Sequence, residues 1–134
     1  MKVDGGCHCG AIAYEAEVDP AMVGICHCTD CQMLSGSPYR VTLPTPTANF
    51  RLLRGALARY VKVADSGTRR LQTFCGACGT PIYASVPDNP PTVSLRWGAI
   101  KQRAQLPPKR QIWCASAAPF AMNLSGLSSA QEQQ

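Results

Sequence analysis

The sequence predicts a mainly β fold with very little helix, on three observations. Short apolar runs, some alternating with period 2, recur along the chain and are bounded by Gly, Pro, Asn or Asp. Eleven Pro and eleven Gly interrupt nearly every window long enough for a helix. Eight cysteines fall into close groups: Cys7 and Cys9, then Cys26, Cys28 and Cys31, then Cys75 and Cys78, with Cys114 alone. Such grouping is a metal-site signal. At 134 residues the chain makes one domain with a modest core and has no room for a second.

Taken in order, residues 12–18 alternate, with Ile12, Tyr14, Ala16 and Val18 on one face of a strand. Further strands are expected at 22–26, 39–43, 58–63, 71–75, 81–86, 92–97 and 111–114. Residues 29–34 escape the breakers and predict a short turn of helix capped by Thr29 or Asp30. Loops are marked by Leu43-Pro44-Thr45-Pro46, Ala64-Asp65-Ser66-Gly67, Pro87-Asp88-Asn89-Pro90-Pro91 and Leu106-Pro107-Pro108. The domain is expected to occupy residues 3–124, with the polar, Gln- and Ser-rich residues 125–134 as a flexible tail.

Composition narrows the function classes. Charged residues are 16% and hydrophobic ones 46%, too apolar for a disordered chain. No stretch resembles a membrane span and the first residues lack a signal-peptide core, so a soluble, cytoplasmic protein is expected. In that compartment thiols stay reduced, and cysteine at about 6% falls short of a disulfide scaffold. Twelve of the thirteen basic residues lie between Arg40 and Arg110 against only Asp65 and Asp88, a net of +10. The remainder, Lys2 against six acids, carries −5. A small anionic ligand, anionic zinc–thiolate centres or a polyanion would suit that middle. Nucleic acid is disfavoured, because no basic run exceeds two residues and no aromatics interleave with the cations.

Cys7 and Cys9 with Cys75 and Cys78 offer four thiolates from distant parts of the chain, the closed tetrahedral arrangement of structural zinc. Gly10 and Gly79, each directly after the second cysteine of its pair, would let the backbone curl round the ion at positive φ. Cys26, Cys28 and Cys31 supply three thiolates and leave a fourth position for water or substrate, as catalytic zinc requires. Two other readings of that trio stay open: a second structural site completed by His27 or Cys114, or an iron–sulfur cluster. His8 and His27 sit between ligands, where residues of a tight loop usually point away from the ion. Cys114 reads as a small buried hydrophobe, and Trp97 and Trp113 read as core.

The run Gly6-Cys7-His8-Cys9-Gly10-Ala11-Ile12-Ala13-Tyr14 is followed by Cys26-His27-Cys28-Thr29-Asp30-Cys31-Gln32, Ser35-Gly36-Ser37 and Phe74-Cys75-Gly76-Ala77-Cys78-Gly79-Thr80-Pro81. In order and spacing these motifs resemble the glutathione-dependent formaldehyde-activating enzyme family, which also contains centromere protein V. The resemblance implies a small, tent-like β fold that binds two zinc ions. It implies that Cys7, Cys9, Cys75 and Cys78 hold a structural zinc, and that Cys26, Cys28 and Cys31 hold a catalytic one. It also implies a carbon–sulfur lyase that condenses formaldehyde with glutathione to S-hydroxymethylglutathione.

The expected partners are therefore a small-molecule thiol such as glutathione and an aldehyde. Arg40, Arg69, Arg70 and Arg96 are the candidates for gripping the thiol's carboxylates, since a guanidinium meets a carboxylate in bidentate geometry. His27 and Asp30, nearest the metal ligands in sequence, are the candidate acid–base groups. A non-catalytic zinc module that binds protein or nucleic acid, and a zinc hydrolase of a small electrophile, are the competing readings.

Overall fold

A computed structural model describes residues 1–132 of the chain. It is mainly β, as the sequence predicts, with ten strands and one short α-helix. The strands are β1 (Lys2–Gly6), β2 (Ala13–Glu17), β3 (Gly24–Cys26), β4 (Arg40–Pro46), β5 (Phe50–Arg54), β6 (Leu57–Val63), β7 (Arg69–Cys75), β8 (Pro81–Ser85), β9 (Thr92–Arg96) and β10 (Arg110–Ile112). The helix, α1, is Thr29–Ser35. Among the described residues no helix is long and apolar enough to cross a membrane.

The strands form two sheets, one in the order β1-β2-β5 and the other in the order β10-β3-β4-β9-β8-β7-β6. All pairings are antiparallel except that of β10 with β3. Residues opposite one another in antiparallel strands share a face, and register therefore sorts the larger sheet into two faces. Cys26 opposes Arg40, Thr42 opposes Arg96, Ser94 opposes Ala84, Ala84 opposes Gln72, and Lys62 opposes Arg70. That face is polar and cationic. The other, with Leu43, Val93, Leu95 and Leu71, is buried. Val3, Ile12, Tyr14, Ala16 and Val18 from the smaller sheet and its flanks join the core. The alternation seen in residues 12–18 thus marks the side turned inward.

Three features depart from expectation. Residues 43–46, marked as a loop by two prolines, continue β4 to Pro46. Strand β3 pairs only with Arg40–Thr42, so beyond that point β4 is bordered by β9 alone and a missing N–H is tolerated there. Strands β1 and β5 carry no clear strand signal in the sequence, because Gly-Gly ends one and outward-facing side chains fill most of the other; pairing with β2 makes them strands. The cap of α1 is Cys28 rather than Thr29 or Asp30, its Sγ accepting the Cys31 N–H at 3.3 Å. Of the expected tail 125–134, residues 133 and 134 lie outside the described residues; Ser125–Ala130 carry no strand or helix.

Candidate metal centres and the cavity beside them

Cys7 and Cys9 stand in the loop that leaves β1, Cys75 closes β7, and Cys78 lies in the turn to β8. Their four Sγ atoms all lie within 4.8 Å of one another. The Cys7–Cys9 and Cys9–Cys75 Sγ separations are 3.6 and 3.8 Å. A tetrahedral ion with Zn–S bonds near 2.3 Å requires sulfur–sulfur edges of about 3.8 Å. Gly10 and Gly79 take φ of 84° and 80°, so both turns use the left-handed backbone that glycine permits. The Ile12 N–H donates to Cys7 Sγ at 3.2 Å and the Cys78 N–H to Cys75 Sγ at 3.5 Å. Thr80 ties the two loops together, accepting the His8 N–H at 3.0 Å and standing 3.2 Å from Cys78 Sγ.

Cys26 ends β3, Cys28 caps α1 and Cys31 lies in its first turn, which brings three sulfurs together within 4.8 Å from a six-residue segment. Electrostatics at both clusters call for a cation. Burial, then the neighbouring Cys28 and Cys26 sulfurs, push Cys31 up to about 12. At the four-cysteine cluster the Thr80 hydroxyl and backbone pull Cys78 down to about 5. The Ala11 amide lowers Cys9, yet the Cys7 and Cys78 sulfurs raise it to about 11. Thiols this crowded do not all ionise unaided, whereas a bound divalent ion deprotonates them. The donor sets and spacings fit metal ions, zinc among them.

The three-cysteine cluster opens on a cavity of about 560 Å³ whose floor is the polar face of the seven-stranded sheet. Arg40, Arg70, Arg96 and Lys62 line it together with Gln72, Thr42 and Ser94. Asp30 is the one acid on its wall, and Lys62 already holds it in an ion pair. Arg40 is 6% exposed and Arg96 8%. Among the described residues no carboxylate comes within ion-pair reach of Arg40, Arg70 or Arg96. Arg96 donates to Gln72 Oε1 at 2.8 Å, but its Nε has no partner. Burial, and next the like charge of Arg40, lower Arg96 to about 9, so it stays charged at neutral pH. Burial likewise lowers Arg40, and the Cys31, Cys28 and Cys26 sulfurs oppose that shift. An unpaired buried charge costs several kcal/mol unless an anion meets it.

A family comparison bears on this constellation: the sequence profile of the glutathione-dependent formaldehyde-activating enzyme family matches residues 2–116. The chain belongs to that family. A Rhodobacter sphaeroides protein of known crystal structure superposes with a TM-score of 0.63 at 24% identity, over 83% of this chain and 99% of that one. That likeness concerns the fold.

Within this family member, the expected site residues separate cleanly. Arg40, Arg70 and Arg96 reach the cavity, while Arg69, one residue out of phase on β7, falls on the other face. Asp30 lines the cavity; His27 does not, being fully buried with its Nε2 against Gln111 Oε1 at 2.8 Å. His8 is exposed and outside both clusters. Trp97 packs on the core, its indole N–H donating to Leu106 O at 2.9 Å. Two expectations are corrected. Cys114 is exposed rather than buried, and joins neither cluster, because it opens a short 3₁₀ turn at the surface. Trp113 is exposed at the cavity wall, not core. Lys62 and Gln72 escaped the sequence reading: Gln72 shares its strand parity with Arg70, whereas only the register of β6 against β7 brings Lys62 opposite Arg70.

Proposed function

We propose that this protein is a zinc-dependent carbon–sulfur lyase that joins formaldehyde to the sulfur of glutathione, giving S-hydroxymethylglutathione. The observation that carries the reading is the three-cysteine cluster opening on a cavity with four cations and one already paired acid. Cys7, Cys9, Cys75 and Cys78 would hold a structural zinc, closed by four ligands and clamping residues 66 positions apart. Cys26, Cys28 and Cys31 would hold the catalytic zinc. Bound there, zinc supplies an open coordination position that favours loss of a thiol proton or polarises a carbonyl oxygen.

The chain's own residues bind and orient. The wall residues Lys62, Arg40, Arg70 and Arg96 against Asp30 give +3, and three thiolates on a divalent ion add −1, leaving +2. Glutathione as its thiolate, with two carboxylates and one ammonium, carries a matching −2. Arg96, fixed by Gln72, and Arg40, which no acid engages, would take the carboxylates. In the reaction the thiol S–H bond breaks, a sulfur–carbon bond forms, and the proton ends on the former carbonyl oxygen. Of the two acid–base candidates only Asp30 lies on the cavity wall, where Lys62 holds its carboxylate.

The test is the rate of S-hydroxymethylglutathione formation above the spontaneous rate. A zinc-loaded protein that accelerates it, and loses the acceleration on Cys28→Ser, supports the reading. No acceleration in a protein with both sites filled overturns it.

A further inference from the structure

Seven described positions adopt positive φ. Five are Gly10, Gly36, Gly55, Gly67 and Gly79, and a sixth is Asn89, the residue types that tolerate this conformation. The seventh is Trp113, at φ 58° and ψ 38°. A bulky side chain is strained there, and such strain persists only where the surroundings over-determine it.

The surroundings do so. The His27 N–H donates to Ile112 O at 3.1 Å, and the His27 ring meets Gln111 Oε1 at 2.8 Å. On the other side, the Ser116 N–H donates to Trp113 O at 3.0 Å, and the Gln32 amide donates to Ser116 O at 2.9 Å and to His27 O at 2.9 Å. Trp113 is thus pinned from both sides to the loop and helix that carry Cys26, Cys28 and Cys31. The strain is not offset by packing, since the residue is 65% exposed and outside the hydrophobic core. Trp113 instead lines the wall of the three-cysteine cavity, together with Ile112 and Ser116.

We propose that Trp113 is a substrate-positioning residue: its indole forms an apolar wall over the methylene and peptide portion of a thiol ligand whose carboxylates rest on the arginine floor. This rests on the glutathione reading above. The ligand class it selects is an anionic peptide thiol, with both charged groups for the arginines and a hydrocarbon and amide surface for the indole to cover. A small uncharged thiol offers neither.

Three variants test it, Trp113→Ala, Trp113→Gly and Trp113→Phe, each first checked for wild-type metal content. Glutathione affinity is measured by calorimetry, independently of turnover. Ala and Gly are expected to weaken binding about tenfold and to the same extent, with Phe within about threefold of wild type. In the absence of ligand, the Gly variant is expected to melt about 2–5 °C above the Ala variant, because glycine alone relieves the left-handed backbone. Glutathione should quench the tryptophan fluorescence of the wild type and not that of Trp113→Phe.

If wild type and all three variants bind glutathione within twofold of one another, the positioning role is overturned while the functional reading stands. Equal melting of the Ala and Gly variants overturns the claim that the backbone is strained for this purpose. Failure of the zinc-loaded wild type to bind glutathione overturns both the functional reading and this inference.

Discussion

Replacing Cys78 and Cys28 by serine separately should distinguish a clamp from a working site. Cys78 completes a cluster that ties the β1–β2 loop to the β7–β8 turn, and thereby the smaller sheet to the larger. Structural zinc contributes about 10–16 kcal/mol of apparent binding energy in small peptides, as much as the whole stability of a typical domain at roughly 5–15 kcal/mol. Losing even a third of it costs about 3–5 kcal/mol, or on the order of 10–20 °C in Tm for a domain of this size. Cys28 sits differently, since its two partner ligands lie two and three residues away and no distant segment depends on it. Its Sγ caps α1, and serine is itself a favoured cap, so Cys28→Ser should cost under about 1 kcal/mol and a few degrees. Differential scanning calorimetry with elemental analysis of each variant reads both effects. Equal losses, or a deeper loss for Cys28→Ser, would refute the division of the seven cysteines into clamp and working site.

Purified under reducing, metal-retaining conditions, the protein should contain two zinc ions per chain. Mild chelation should remove the three-ligand metal first, abolishing activity while far-ultraviolet circular dichroism is unchanged; loss of fold together with the first metal would contradict this. Arg96→Met should raise KM for glutathione tenfold or more without lowering Tm, because it removes a buried cation that has one hydrogen bond and no carboxylate. The wild-type KM should itself rise with salt, and a salt-independent KM would count against the arginine floor. Asp4 is held below the usual carboxylate range by the Gln102 amide, then by Lys101. Its folded pKa is depressed, so its contribution is present above about pH 3.8 and lost as pH falls through the folded value. Asp4→Asn should therefore lower stability slightly at neutral pH, by well under 1 kcal/mol at this exposed position, with the gap to wild type closing in acid. A gap that widens in acid would refute that sign.

The two cysteine clusters could be read from sequence because candidate ligands declare themselves by type and spacing even where they are distant in chain. The pairs Cys7/Cys9 and Cys75/Cys78, with Gly10 and Gly79 behind them, announce two matching loops without any knowledge of the fold. The alternation at Ile12, Tyr14, Ala16 and Val18 likewise names a buried face. The cavity floor is different in kind. Arg40, Arg70, Arg96, Lys62 and Gln72 come from four strands, and only sheet order and register place them side by side. Arg69 and Arg70 are indistinguishable in composition, and one step of strand parity decides which reaches the cavity. The prolines at 44 and 46 show the same limit, since whether a missing N–H matters depends on a neighbouring strand that the local sequence does not reveal.

The central claim, that the metal held by Cys26, Cys28 and Cys31 has an open position that takes glutathione sulfur, is tested most directly with cobalt in place of zinc. Titrating the cobalt protein with glutathione should change its visible absorption saturably, with a thiol that lacks carboxylates binding more weakly and Arg96→Met shifting the titration to higher concentration. A visible spectrum unchanged at millimolar glutathione, in protein whose three-cysteine site is loaded, would contradict the account.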